Sequence, residues 1–305
     1  MGASISAQQR SLWTSLATLI AIFALAVYQL AQPPETLKPK VFVLGFSKTG
    51  TTSIGDALER LGYRRLGWRD VRSRHMVYTW AHDGDLTTLV EQTRNYDAFE
   101  DLPWPTVYKE MSELYPDAKF VLSLRKDEET WLKSMKTHMG RGEWLPYEWF
   151  YGATKFQGNE DIIRESYANH TRDVREYFKD KQDKYMEMSI DDGDVNWDVL
   201  CQIAQCPGGR VPSISFPKSN PASSWDMGTI QNAVRFCWGW SVTRTEEQVA
   251  KWYYERDVKA LRPVFNALWR LYDFVERAYT ELEFKIVAFF KPPLTAEQIE
   301  QVAHS

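Results

Sequence analysis

A short apolar run, Val41–Leu44, ends in Gly45 and passes through "GFSKTGTTS" into a helical pattern; no other stretch limits the possible folds as tightly. A continuous apolar run of this length reads as a strand buried on both faces of a parallel sheet. From Thr51 to Leu61 the residues Ile54, Leu58 and Leu61 recur at helical spacing, and Gly62 closes the segment. A glycine loop between such a strand and helix turns successive backbone N–H groups toward an anion, with the positive helix end behind them. The loop departs from the G-x-x-x-x-G-K-[ST] form that cradles nucleoside triphosphates. Gly45 and Gly50 keep that spacing, but Thr51 stands at the lysine position, and the loop's lysine, Lys48, precedes the second glycine. The charge clamp for β- and γ-phosphates is therefore missing, which argues against ATP or GTP hydrolysis. A single 5′-linked phosphate carrying a reactive group needs less.

The rest of the chain alternates. Strands are expected at Tyr96–Asp101, Lys119–Arg125 and Lys184–Ile190. Helices are expected at Thr106–Tyr115, in the acidic-fronted "DEETWLKSMKTHM", and at Glu160–Lys181 and Trp197–Ala204. This order predicts an α/β fold of three layers around a central parallel sheet, over residues 40–225. Beyond it, residues 226–305 read as a helical extension with helices at Glu246–Leu261 and Val264–Phe290, broken at Pro263. It could cover the core, act as a lid or lie on a membrane surface.

Ahead of the domain, residues 11–31 carry no charge. At ~1.5 Å per residue a helix of that length reaches about 30 Å, so a single transmembrane helix is expected between a tail (1–10) and a proline-broken linker (32–39). Arg10 on one side and Lys38 and Lys40 on the other leave the orientation open. The sequon Asn169-His170-Thr171 fits a lumenal domain, and a single-pass endomembrane (ER/Golgi) location is expected.

A net charge of −4 argues against nucleic acid as a partner. The segment "EWLPYEWFYGATKF" either lines an acceptor cleft or packs the core. Of Cys201, Cys206 and Cys237, the first two either bridge in an oxidising compartment or remain buried thiols, and nothing suggests zinc.

"SKTGTTS" (Ser47–Ser53) resembles the 5′-phosphosulfate loop of the P-loop sulfotransferases, whose members carry K-[ST]-G-T-T. "FVLSLRKDEETWLKSM" is similar to that family's strand ending in Arg followed by a helical Ser. Here Ser134 lies one residue further from Arg125 than in the family pattern, and Lys126-Asp127 replaces Asp-Pro. "LYPDAKFVLSLR" and "DVNWDVLCQIAQCPGGRVPSISFPKSN" look like the branch found in fungi and other microbial eukaryotes. The resemblance implies 3′-phosphoadenosine 5′-phosphosulfate (PAPS) as co-substrate and a small-molecule or glycan hydroxyl or amine as acceptor, without a metal. It implies a 5′-phosphosulfate site at Ser47, Lys48, Thr49, Gly50, Thr51, Thr52 and Ser53, and a 3′-phosphate site at Arg125 and Ser134. Where soluble members have a His in H-L-P, this chain has "EDLPWP", which puts Asp101 in the place of the catalytic base beside Lys48. His75 and His82, read as loop histidines, are the alternative bases. The competing readings are a catalytically inactive nucleotide-binding or interaction protein and a nucleotide phosphotransferase or hydrolase.

Overall fold

The computed structural model describes residues 7–30, 38–68, 71–218 and 262–290. Five parallel strands form one sheet in the order β2-β3-β1-β4-β5. They are β1 (Val41–Val43), β2 (Arg65–Leu66), β3 (Ala98–Phe99), β4 (Lys119–Leu124) and β5 (Tyr185–Ser189). The register aligns Val41 with Ala98 on one side and with Lys119 on the other. The expected α/β architecture with a parallel sheet is present. The edge strand β2, two residues long, lies below the length at which alternation is legible.

Helices flank the sheet: α2 (Thr51–Arg60), α3 (Val71–Asp83), α4 (Thr87–Thr93), α5 (Tyr108–Leu114), α6 (Glu128–Met139), α7 (Pro146–Tyr151), α8 (Glu160–Phe178) and α9 (Trp197–Leu200). The helix α3 escaped the periodicity because Arg72, Ser73 and His75 are buried along with its apolar residues. The two ends of α2 follow from sequence. Gly50, at φ 91°, precedes its first turn, and Gly62, at φ 80°, closes it with Tyr63 N–H donating to the Leu58 carbonyl, as in a Schellman cap. Asp127 caps α6 by accepting from the Thr130 N–H at 2.6 Å.

Alternation along β1 divides the core. Val41 and Val43 join Ile54, Leu58, Val121, Met188, Trp197 and Leu200 in one largely aliphatic cluster. The intervening Phe42 packs an aromatic one, 4.6 Å from Phe99 and 5.4 Å from Phe120 between ring centroids. Burial on both faces explains why β1 reads as an unbroken apolar run. The topology carries the chain out to β2 on one side of β1 and then across to β4 on the other. The crevice beyond the carboxyl ends of β1, β3 and β4 lies at that switch, where open α/β sheets place ligands.

Among the described residues, packing divides the chain into two units, 7–30 with 262–290 and 38–218. In the first, α1 (Ala7–Leu30) packs against α10 (Arg262–Phe290). Pro263, expected to mark the break ahead of this helix, is its second residue, where its missing N–H costs nothing. The transmembrane helix expected at 11–31 falls on α1, and among the described residues no helix is long and apolar enough to cross a membrane. Within α1, Thr18 Oγ1 donates back to the Thr14 carbonyl. Large apolar side chains of α1 nevertheless stand exposed, Phe23 at 71% and Trp13 at 65%. The helix expected over Glu246–Leu261 lies outside the described residues.

Candidate active site

The loop after β1 is pinned by its own polar side chains. A Cβ on Gly45 would lie 2.0 Å from Ser123 Oγ and 2.4 Å from the Ser123 carbonyl oxygen, so only glycine lets the loop pass β4. Thr49 Oγ1 donates to the Phe46 carbonyl at 2.7 Å and lies 2.7 Å from Ser123 Oγ. Ser47 Oγ donates to Asp101 Oδ1 at 2.7 Å, while the Ser47 carbonyl accepts from Trp131 Nε1 at 3.0 Å. Ser47 and Thr49 therefore face inward and stitch the loop to β3, β4 and α6. What faces outward is backbone. Lys48 (φ 75°) and Gly50 (φ 91°) adopt left-handed conformations, and no side chain caps the α2 N-terminus. In the first turn, at the positive end of the helix, Ser53 N–H donates to the Gly50 carbonyl at 3.0 Å, which leaves the Thr51 and Thr52 N–H groups for an outside acceptor. A left-handed lysine costs about 1 kcal/mol or more, which the surrounding contacts must hold in place. Thr51 is buried, whereas Thr52 and Ser53 are partly exposed.

Cations gather around Lys48. Its pKa is lowered, first by burial, then by the positive charge of Arg141 and less by that of Arg125, while Asp101 opposes the shift. His138, on α6, is half-buried and pushed down to about 4 by burial and by the charges of Lys48 and Arg141. Its Nε2 lies 3.2 Å from the Tyr147 hydroxyl. Sequence reasoning missed Arg141 and His138. For His138 the available signal was helical spacing, because Trp131, Ser134 and His138 fall on one side of α6 and Trp131 reaches the loop, whereas Arg141 lies beyond the end of α6. Ser134, partly exposed, shares that side.

Opposite Lys48 stands the acidic pair that leaves β3. Asp101 is buried, sits at φ 61° and accepts from the Leu102 N–H at 2.9 Å as well as from Ser47. Burial first, and then the charge of Glu100, push its carboxyl up to about 6, against the pull of Ser47, Leu102 and Lys48. Glu100 is held by Arg65 Nη2 at 2.5 Å, and Gly67 is needed because a Cβ there would lie 2.0 Å from Glu100 Oε1. The hydroxyl of Tyr151, on α7, is buried beside Ser47, its pKa raised well above 10 by burial and by Asp101. The two alternative bases are not loop residues. His75 is buried within α3 and pushed down to about 3 by burial, and His82 pairs with its neighbour Asp83 at 2.9 Å near the helix end.

Arg125, just past β4, also comes to the loop. Its Nη1 lies 3.5 Å from the Lys48 carbonyl oxygen. The rest of the guanidinium is occupied by a residue the sequence did not single out. Nε donates to Asp191 Oδ2 at 2.7 Å and Nη2 to Oδ1 at 3.0 Å. Beside it lies a cavity of about 470 Å³, with Lys126, Tyr167, Thr171 and Arg175 in its lining.

Three other expectations resolve here. The aromatic segment Glu143–Phe156 packs the interior around α7, with Phe150, Tyr151 and Phe156 buried. The sequon lies within α8, with Thr171 buried and His170 Nε2 2.7 Å from the Leu44 carbonyl. Cys201 and Cys206 form a disulfide.

A family model described as a sulfotransferase domain matches residues 40–225, which include the loop, the acidic pair and both ends of the Arg125–Asp191 bridge. No curated protein matches the chain. A loop open for one phosphate, flanked by Lys48, Arg125 and Arg141, agrees with that match, and the chain belongs to the P-loop sulfotransferase family, whose domain implies sulfuryl transfer from PAPS.

Proposed function

We propose that the protein transfers the sulfuryl group of PAPS to a hydroxyl or amine, with Asp101 as base and Lys48 as the electrostatic catalyst. The observation that carries this reading is the convergence of the two on the loop. Ser47 Oγ binds Asp101, and the next residue, Lys48, lies within electrostatic reach of it. The N–H groups at the start of α2, with Thr52 and Ser53 beside them, hold the 5′-phosphate. Asp101 removes the acceptor proton as the acceptor oxygen or nitrogen forms its bond to sulfur. The bond between sulfur and the bridging phosphate oxygen breaks, and that oxygen keeps the electron pair. Lys48 contacts the bound 5′-phosphate and neutralises the charge developing there, a contact that strengthens in the transition state. A carboxyl held near neutrality suits the base, because it is ionised at working pH yet more basic than a solvated carboxylate. Arg125 and Ser134 hold the 3′-phosphate.

The disulfide supports residence in an oxidising compartment, such as the lumen of the endomembrane system. Contact with a membrane falls to the exposed apolar side chains of α1.

Thermal stabilisation tests the donor assignment, since a ligand that binds the native state raises its stability. Adenosine 3′,5′-bisphosphate and PAPS raise the melting temperature of the protein, and Lys48→Ala removes most of the shift. A shift with Mg-ATP alone would point to the phosphotransferase or hydrolase reading. No shift with any nucleotide would point to the inactive one.

A further inference from the structure

A guanidinium presents two two-nitrogen edges to planar or tetrahedral anions, one made of Nε and Nη2 and the other of Nη1 and Nη2. In Arg125 the first edge is fully taken by Asp191. The second is turned so that Nη1 stands at the rim of the loop, 3.5 Å from the Lys48 carbonyl. Asp191 is itself fastened, because its Oδ2 also accepts from the Lys126 N–H at 3.0 Å. The segment that carries it is locked as well. Ile190 N–H donates to the Leu124 carbonyl at 3.3 Å, and Ile190 Cγ2 lies 2.3 Å from where a Gly50 Cβ would be. One short stretch after β5 thus packs against the loop and grips the arginine from behind.

The site therefore holds two separate anion-binding elements. The loop N–H groups address one phosphate. The Nη1 side of Arg125, at the loop rim with one long contact to the Lys48 carbonyl at 3.5 Å, addresses a second anionic group on the same ligand. We infer that Asp191 is the positioning residue that gives this site its preference for a 3′-phosphorylated nucleotide, by holding the Nη1 side of Arg125 toward the loop. The inference rests on the donor assignment above. The contrary reading is that Asp191 competes with the ligand for Arg125. The two differ in sign, because removing a competitor tightens binding, whereas removing a brace loosens it. Loss of a negative charge by itself would strengthen binding of every anion, with or without a 3′-phosphate.

The test is calorimetric titration of the full-length protein with adenosine 3′,5′-bisphosphate and with adenosine 5′-monophosphate. For Asp191→Asn the ratio of the two dissociation constants falls about tenfold, through weaker binding of the bisphosphate, the scale of one charge-assisted contact. Asp191→Glu, which keeps the carboxylate, restores much of the ratio. In an Arg125→Ala background, Asp191→Asn changes the ratio no further, as expected for a residue that acts through the arginine. Tighter binding of the bisphosphate by Asp191→Asn, or an unchanged ratio, overturns the inference. Equal binding of both nucleotides by the wild-type protein overturns it together with the donor assignment, and this shows before any variant is made.

Discussion

The two strand ends that frame the site prepare for an anion in opposite ways. After β1 the work is done by backbone. Ser47 and Thr49 turn inward, and left-handed Lys48 and Gly50 turn the chain so that N–H groups face out. After β4 the work is done by a side chain, and Arg125 is aimed by the carboxylate of Asp191. Backbone sites depend on space, so they fail when a Cβ is added where none fits. Side-chain sites depend on a partner, so they fail when that partner is removed while the fold remains. Asp101 belongs to neither class, because it ties the loop to the chain after β3 and is the proposed base as well.

Substitutions there produce the largest expected effect. Asp101→Asn lowers the transfer rate about 10³-fold, the scale of general-base catalysis. The fold survives, because asparagine tolerates the left-handed φ of 61° and can still accept from Ser47 and Leu102. In the wild type, kcat/KM falls below about pH 6 as the carboxyl protonates, and the variant loses that limb. The same shift has a stability consequence. The folded-state pKa lies above the ordinary 3.8, so ionisation weakens the fold as pH rises from about 4 to about 6. Asp101→Asn therefore melts higher than wild type at neutral pH. A variant that melts lower would show that the carboxylate is structural.

Lys48→Ala comes next, with a loss of about 10²–10³-fold in the transfer rate and little change in melting temperature. A rate near wild type would shift the electrostatic role to Arg141 or Arg125. The comparison predicts the reverse pattern for the loop glycines. Gly45→Ala meets the Ser123 carbonyl as well as two hydroxyls and destabilises by about 3 kcal/mol. By calorimetry that is a melting-temperature drop of about 6–12 °C. Gly50→Ala meets only Ile190 side-chain atoms at an unfavourable φ and costs less.

Cys201→Ser opens a short closed loop beside the aliphatic cluster and costs about 2 kcal/mol on the chain-entropy scale. A reducing agent has the same effect on the wild type and none on the variant, and kcat is unchanged in both. At the bottom of the scale is Arg172→Ala. Its pair with Asp173 is more than half exposed on both sides, and its removal changes stability by less than about 0.5 kcal/mol in denaturant titration.

Legibility followed the same division. β1, the loop, α2 and the acidic start of α6 were readable because each is written in consecutive residues with the periods and end charges of local structure. Boundaries after β3 were less so. The strand expected to run to Asp101 stops at Phe99, since the chain turns left-handed at Asp101 to present its carboxylate. The helix expected from Thr106 begins at Tyr108, after a short 3₁₀ turn over Trp104–Thr106. His75 reads as a loop residue but is a buried part of α3, because polar residues on the inner side of a helix erase the pattern that marks it.

The sequence alone therefore determined the anion loop. Its glycine spacing, its lysine and the helix that follows place N–H groups and positive charge together through local geometry. Only the tertiary structure decided what surrounds it. Asp101 becomes a base candidate through burial and through Glu100. Arg141 and His138 join the site across α6, and Arg125 is aimed by a carboxylate from 66 residues along the chain. Desolvation and ion pairing depend on segments that meet only when the sheet assembles, and neither is written in any local stretch of the chain.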